Sequence, residues 1–224
     1  MSAAPRFLYL HGFASGPDSK KGVTLAEHYA RRGVELVRLN LRIPTFSQLR
    51  FSAMLQATQA AIGGPADRAV LFGSSLGGLT AAEVAARDAR VAALVLLAPA
   101  FFVLERWPER LGAAAWQSWQ QTGWQETIDY TTGQPAQVDW GFITDLEAHC
   151  TPGLPDVRVP TLILHGRRDE VVDIDAARRF AAGKRHVHLI ELDDGHELVA
   201  SLPRIAAAAD EFLRPFIDGN HPAA

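Results

Sequence analysis

Three side chains could do chemistry together when taken in chain order: Ser75, Asp169 and His196. A serine hydroxyl is a weak nucleophile at neutral pH and needs a base within hydrogen-bond reach. A neutral imidazole can take its proton and return it to a leaving group, and a carboxylate can hold that imidazole in the useful tautomer. Ser75 sits in the run Val70-Leu71-Phe72-Gly73-Ser74-Ser75-Leu76-Gly77-Gly78-Leu79, which joins an apolar stretch to a helical pattern through a turn of small residues. A serine at such a corner is held in a strained conformation that lifts its hydroxyl clear of a sheet, and the corner needs minimal side chains two residues before and after it. Gly73 and Gly77 supply these for Ser75, whereas Ser74 would be flanked by Phe72 and Leu76. The competing reading is a glycine-rich strand-to-helix turn that holds a phosphate at the helix N-terminus.

The tetrahedral intermediate of acyl transfer carries negative charge on an oxygen and calls for preorganised donors. The backbone N–H of Leu76, directly after the nucleophile, and that of Phe13, after His11-Gly12, are the candidates. His11 is expected to organise that loop by hydrogen bonding. Each partner has a duller alternative: His196 as a helix-start residue after Gly195, Asp193 and Asp194 as caps, and Glu170 or Asp173 in place of Asp169. His165 reads as structural. His186 and His188 lack convergent carboxylate or cysteine ligands, and His196-Glu197-Leu198-Val199-Ala200 lacks the second histidine of a zinc-protease helix, so no metal site is expected.

Positioning these residues requires a parallel sheet, because ligands bind beyond the carboxyl ends of its strands. Phe7-Leu8-Tyr9-Leu10, residues 34–39, residues 69–72, Val91 to Leu97, residues 159–166 and residues 187–192 read as strands, most of them as continuous apolar runs covered on both faces. Helices are expected over about 19–32, from Ser47 as N-cap through Ala61, after Ser75 to about Arg87, over about 175–182 and over about 198–212. Strand and helix thus alternate, predicting a mostly parallel sheet with helices on both faces. His11-Gly12-Phe13, Ser75, Asp169 and His196 each follow a strand and so share one sheet edge.

The pattern breaks between about residues 100 and 156. Strand signals vanish there, and all five tryptophans (Trp107, Trp116, Trp119, Trp124 and Trp140) fall within that segment. It reads as a partly helical lid inserted into a single domain spanning residues 1–224. Phe101 and Phe102 lie at its hinge, and Trp116 and Trp119 stand three apart on one helix face. With Trp107 and His11, these four are candidates for contacting substrate. The alternative is a small satellite core that only shields the sheet edge.

A length of 224 residues suits one sizeable core. A formal charge of −3 without long like-charged runs points away from nucleic-acid partners. Cys150 is the only cysteine, so no intrachain disulfide can form, and a reducing, cytoplasmic setting is expected. The stretch Met1-Ser2-Ala3-Ala4-Pro5-Arg6 and the short apolar run after it are too short and wrongly flanked for a signal peptide or membrane span.

The runs Leu8-Tyr9-Leu10-His11-Gly12-Phe13 with Ser15-Gly16-Pro17-Asp18-Ser19-Lys20, Gly73-Ser74-Ser75-Leu76-Gly77-Gly78 and Gly195-His196 resemble the α/β-hydrolase superfamily, and more narrowly the small bacterial YqiA-like esterases. The resemblance is weakest over the tryptophan-rich segment. It implies a six-stranded α/β-hydrolase sheet lacking the N-terminal antiparallel hairpin of larger relatives, and hydrolysis of esters or thioesters through Ser75, Asp169 and His196. The expected activity is therefore a cofactor-free serine carboxylesterase or thioesterase acting on a small molecule through an acyl-enzyme. Two other readings share these features: a receptor or scaffold that binds ligand with slow or no turnover, and a hydrolase of carbon–carbon bonds. Substrate and oligomeric state stay open at this point.

Overall fold

The structure is a computed structural model that describes residues 4–218. Residues 1–3 of the N-terminal stretch read above lie outside the described residues. In chain order the elements are β1 (Arg6–Leu10), α1 (Lys20–Ala30), β2 (Leu36–Leu39), α2 (Phe51–Ile62), β3 (Ala69–Ser74), α3 (Leu76–Arg87), β4 (Val91–Leu97), α4 (Val103–Leu111), α5 (Ala113–Thr122), β5 (Trp124–Asp129), β6 (Gln134–Asp139), α6 (Gly141–His149), β7 (Thr161–Gly166), α7 (Ile174–Ala181), β8 (Val187–Leu192) and α8 (Leu202–Ile217). Six strands form one sheet in the order β2-β1-β3-β4-β7-β8, and every pair in it is parallel. The winding direction reverses between β1 and β3, which opens the crevice where ligands bind in sheets of this type.

The apolar runs follow from burial on both faces. All seven residues of β4 are buried, and from Ala93 to Leu97 their side chains alternate between two cores. Leu94 and Leu96 point to the core built with Phe51 and Met54 of α2, Leu79 of α3 and Phe180 of α7. Val95 and Leu97 point to the core built with Leu25 and Tyr29 of α1 and Ile205 and Leu213 of α8. Each such Leu or Val contributes about 1.5–3 kcal/mol of transfer free energy, so the central strands fix which helices cover which face.

Three sequence expectations need correction. The first helix of the second crossover begins at Phe51, not at Ser47: the chain turns back on itself first, with the Arg50 amide donating to the Ile43 carbonyl at 3.0 Å, and the Ser47 carbonyl accepts from Asp139. The last helix starts at Leu202. Residues 195–201 form a turn in which Leu198 has φ 54°, and the Asp194 carboxylate accepts from the amides of Gly195 and Ser201. Finally, the tryptophan-rich segment is not strandless, since β5 and β6 pair antiparallel as a separate two-stranded hairpin. Its strands are polar and half-exposed, so they carry none of the signal of a buried run.

That segment is no satellite core either. Trp119, Val138, Phe142, Ile143 and Leu146 belong to the same core as one face of the main sheet. Four of its indoles pack edge to face, with Trp116–Trp140 and Trp119–Trp140 ring centroids 4.9 and 5.5 Å apart and Trp107–Trp119 5.8 Å apart. Two bidentate ion pairs fasten the hairpin to the loop before α2: Arg42 on Asp129, and Arg50 on Asp139 at 2.7 and 2.8 Å. Among the described residues, no helix is long and apolar enough to cross a membrane.

Candidate active site

Ser75 occupies the corner between β3 and α3 with φ 53° and ψ −117°, a strained conformation for a residue with a side chain. The corner is tight because its glycines are in contact with backbone. A Cβ on Gly77 would collide with the carbonyls of Leu10 and His11, and one on Gly73 would collide with Gly77. The α3 N-terminus is thereby pressed against the end of β1, and a Cβ on Gly12 would stand 3.2 Å from Ser75 Cβ. The Ser75 amide donates to Leu97 of β4 at 2.9 Å, and its carbonyl accepts from Ala100 at 3.0 Å, so β4 and the residues that follow it brace the corner. The Ser75 hydroxyl makes no hydrogen bond of its own among the described residues.

The loops after β7 and β8 are laced together by their backbones. Arg167 donates to Leu192 at 2.8 Å and Arg168 to Asp194 at 3.0 Å, while Gly166 leaves the space that the carbonyls of Asp194 and Gly195 fill. This lacing brings Asp169 to His196, whose Nδ1 lies 2.8 Å from Asp169 Oδ2. The other carboxylate oxygen, Oδ1, accepts from the amides of Val171 and Val172, both at 2.8 Å. A further partner is His165, whose Nε2 lies 3.1 Å from Asp169 Oδ2 and 3.0 Å from the Val172 carbonyl. Both neighbours are acceptors, so Nε2 carries the proton. Burial alone would raise the Asp169 pKa, but the hydrogen bonds from His165, His196 and Val172 outweigh it and hold the carboxyl well below the ordinary range. A carboxylate fixed in this way keeps the proton of His196 on Nδ1 and leaves Nε2 to accept another. The reading of His165 as merely structural therefore missed a direct contact with Asp169. Its signal lay in the i, i+4 spacing of His165 and Asp169 across a strand end, which carries no pattern by itself.

His11 is buried and reads as an organiser of the neighbouring loop. Its Nε2 accepts from the Leu41 amide at 3.0 Å, which leaves Nδ1 to donate to the Gly12 carbonyl at 2.9 Å. Burial lowers its pKa, so the neutral tautomer persists. The Phe13 amide beyond it has no protein acceptor among the described residues, and the Leu76 amide is the first of α3, with no helical carbonyl one turn back.

Two cavities meet at Ser75, of about 420 and about 890 Å³. Phe13, Ser75, Trp107 and Val171 form walls of both. Among the aromatic candidates, Phe101 faces the smaller cavity and Trp119 the larger. Phe102 and Trp116 line neither: Phe102 lies under the Arg179 guanidinium, 4.5 Å from its ring centroid, and Trp116 packs on Trp119 and Trp140. His11 also lines neither, because it is spent on the loop.

Comparison with known proteins agrees with this architecture. The sequence matches, over residues 6–212, the profile described as uncharacterised protein family UPF0227. No curated protein matches the chain. Among solved structures, it is similar to alpha/beta hydrolase domain-containing protein 10 from mouse, with a TM-score of 0.77 and 21% identity over 96% of this chain and 91% of that one. It is also similar to the Paleococcus ferrophilus monoacylglycerol lipase, with a TM-score of 0.73 and 16% identity over 96% of both chains. The esterase domain of a Rhodothermus marinus protein gives a TM-score of 0.66 and 19% identity over 97% of this chain and 90% of that one. At these identities the structural likeness establishes the fold. The chain belongs to the UPF0227 family, the YqiA-like group to which the sequence resemblance pointed, and its fold is that of the α/β hydrolases.

Proposed function

We propose that the protein is a serine hydrolase that cleaves carboxylic esters or thioesters through an acyl-enzyme on Ser75. The observation that carries this reading is the 2.8 Å contact of His196 Nδ1 with Asp169 Oδ2, at the same sheet edge as a serine held at φ 53°. Solved structures of the same fold that are named as a lipase and an esterase support hydrolysis as the reaction class.

In the proposed reaction, Ser75 Oγ attacks the carbonyl carbon while its proton passes to His196 Nε2. The carbonyl oxygen becomes an oxyanion facing the amides of Phe13 and Leu76. As the intermediate collapses, the bond to the leaving oxygen or sulfur breaks and His196 gives that atom its proton. Water then adds to the acyl-enzyme by the same route, releasing the acid and restoring Ser75. Asp169 stays charged throughout, orienting the imidazole and stabilising its cationic form. The segment between β4 and β7 acts as a cap in this reading, with Trp107 as the side chain that closes on both sides of the nucleophile.

The test is intact-mass spectrometry after exposure to a fluorophosphonate probe, because only an activated serine forms the adduct efficiently. A single adduct is expected on the wild-type protein and none on Ser75→Ala. Folded wild-type protein that stays unlabelled would overturn the reading and favour a binding protein.

A further inference from the structure

Lys21, in the first turn of α1, is the one lysine buried among the described residues, and it lines the larger cavity at Ser75 beside His196. The buried carboxylates Glu83 and Asp129 are each closely matched, Glu83 by Arg87 and the Thr151 hydroxyl, both at 2.7 Å, and Asp129 by Arg42 at 2.8 Å. Lys21 has no such match. The carbonyl of His196 lies 3.4 Å from its Nζ, and the Glu197 carboxylate stands 3.7 Å away with 79% of its own side chain in solvent. An ammonium has three N–H donors, and a charge taken out of water is costly unless it is paired and hydrogen-bonded. Most of the capacity of this one is unused.

The same wall offers further donors. Ser19 caps α1, its hydroxyl oxygen accepting from the Gly22 amide at 3.3 Å, while the amides of Lys20 and Lys21 have no protein acceptor among the described residues. The first turn carries no acidic residue, and such a helix end favours a negative charge beside it. Ser19, Lys20 and Lys21 all line the larger cavity, together with Tyr9, whose hydroxyl lies 3.4 Å from Ser19 Oγ. Three acids reach this cavity too, but Asp18, Glu126 and Glu197 are exposed, and Asp18 pairs with Arg38 at 2.8 Å. Solvent screens those charges far more than it screens the buried ammonium.

We propose that the larger cavity contains an anion-binding subsite centred on Lys21 at the N-terminus of α1, and that the substrate is an ester or thioester carrying a carboxylate or phosphate close to the bond that breaks. The closeness follows from Lys21 reaching the main chain of His196 itself. Burial disfavours the ammonium, and an anion seated against it offsets that penalty. This assignment rests on the serine hydrolase reading and names the substrate class within it.

The experiment measures kcat/KM for three anionic esters, each against a neutral ester of the same length: mono-p-nitrophenyl glutarate against p-nitrophenyl hexanoate, butyryl glycolate against propyl butyrate, and 2-butyryloxyethyl phosphate against pentyl butyrate. Wild-type protein is expected to prefer the anionic member of at least one pair by roughly ten-fold or more. Lys21→Met and Lys21→Gln should bring that ratio to within about two-fold of unity, whatever rate both members lose together. Lys21→Gln keeps a donor for the His196 carbonyl, so it separates the charge from the pinning of the loop. No anionic preference in wild-type protein overturns the subsite without any variant having to fold. A preference that survives in Lys21→Gln, or a loss shared equally by both members of the pair, overturns it as well. Fluorophosphonate labelling of Ser75 distinguishes the two failures: labelled enzyme without the preference sinks the subsite alone, and unlabelled wild-type protein sinks the hydrolase reading beneath it.

Discussion

The fully buried imidazole of His165 donates from Nε2 toward Asp169 Oδ2 at 3.1 Å, the same oxygen that receives His196 Nδ1 at 2.8 Å. One carboxylate oxygen thus stands between two rings, one inaccessible to solvent and one lining the larger cavity at Ser75. The inner ring and the amides of Val171 and Val172 hold the carboxylate still, so His196 has a fixed acceptor.

Removing the inner donor should weaken that hold without touching the nucleophile. His165→Phe is expected to cost about 1–2 kcal/mol in transition-state stabilisation, roughly 5- to 30-fold in kcat, with little change in KM. His165→Gln, which can still donate, should recover part of it. The low-field proton resonance of His196 Nδ1–H should move in His165→Phe, and an unmoved resonance would argue for a packing role only.

Asp169→Asn should be far more damaging, because an amide can present its N–H to His196 Nδ1 and favour the wrong tautomer. A loss on the order of 10³- to 10⁴-fold in kcat is expected, with fluorophosphonate labelling slowed in parallel. Labelling at the wild-type rate would show that Asp169 is dispensable for activating Ser75.

The pH dependence of stability follows from the same carboxyl. Its folded pKa is depressed, so the unfolded chain takes up a proton near pH 4 while the folded chain does not. Its contribution is complete above that range and falls away progressively as pH drops from there toward the depressed folded pKa. The gap between urea melts of wild-type and Asp169→Asn, constant at pH 7 and 5, should start to narrow at about pH 4 and be narrower still at about pH 3. A constant difference down to pH 3 would contradict the assignment.

Gly77→Ala places a methyl group against the carbonyls of Leu10 and His11, which are backbone atoms of β1 and its following loop and cannot swing aside. A loss of about 2–3 kcal/mol in stability is expected, together with slower labelling of Ser75, since the same shift displaces the Phe13 amide. Thermal melts and labelling rates check both. Wild-type labelling in a destabilised variant would detach this contact from the chemistry.

Lys21 reaches from α1 to the carbonyl of His196 at 3.4 Å and lies 3.7 Å from Glu197, with only 10% of its side chain exposed. Burial lowers its pKa despite the nearby Glu197 carboxylate. Lys21→Met keeps the buried stem and removes the ammonium, freeing the His196 loop. Losing one such contact should lower kcat by roughly ten-fold at most, with a change in melting temperature of only a few degrees. An unchanged kcat would mean that the loop is held by Asp194 and the backbone lacing alone.

Much of the scaffold was legible without coordinates. The run from Val91 to Leu97 announces a strand buried on both faces because each residue is apolar, and the observed strand has these bounds. Gly73, Ser75 and Gly77 announce the corner because sterics permit little else there. The serine, acid and histidine could be ordered along the chain because each follows a strand, and parallel strands deliver all their carboxyl ends to one edge. The polar hairpin of β5 and β6, by contrast, has no apolar alternation to reveal it. Its position depends on Asp129 and Asp139 meeting Arg42 and Arg50, partners 87 and 89 residues away along the chain.

Sequence alone determined which residue types could meet at the sheet edge, since that depends on local periodicity and on the turn chemistry of short stretches. Tertiary structure decided how they meet. Only the lacing of the β7 and β8 loops sets Asp169 against both His165 and His196, and only the packing of α4 and the hairpin against the sheet divides the space around Ser75 into two cavities. Hydrogen bonds and cavity walls of this kind join residues distant in the chain, and no short stretch of sequence carries their geometry.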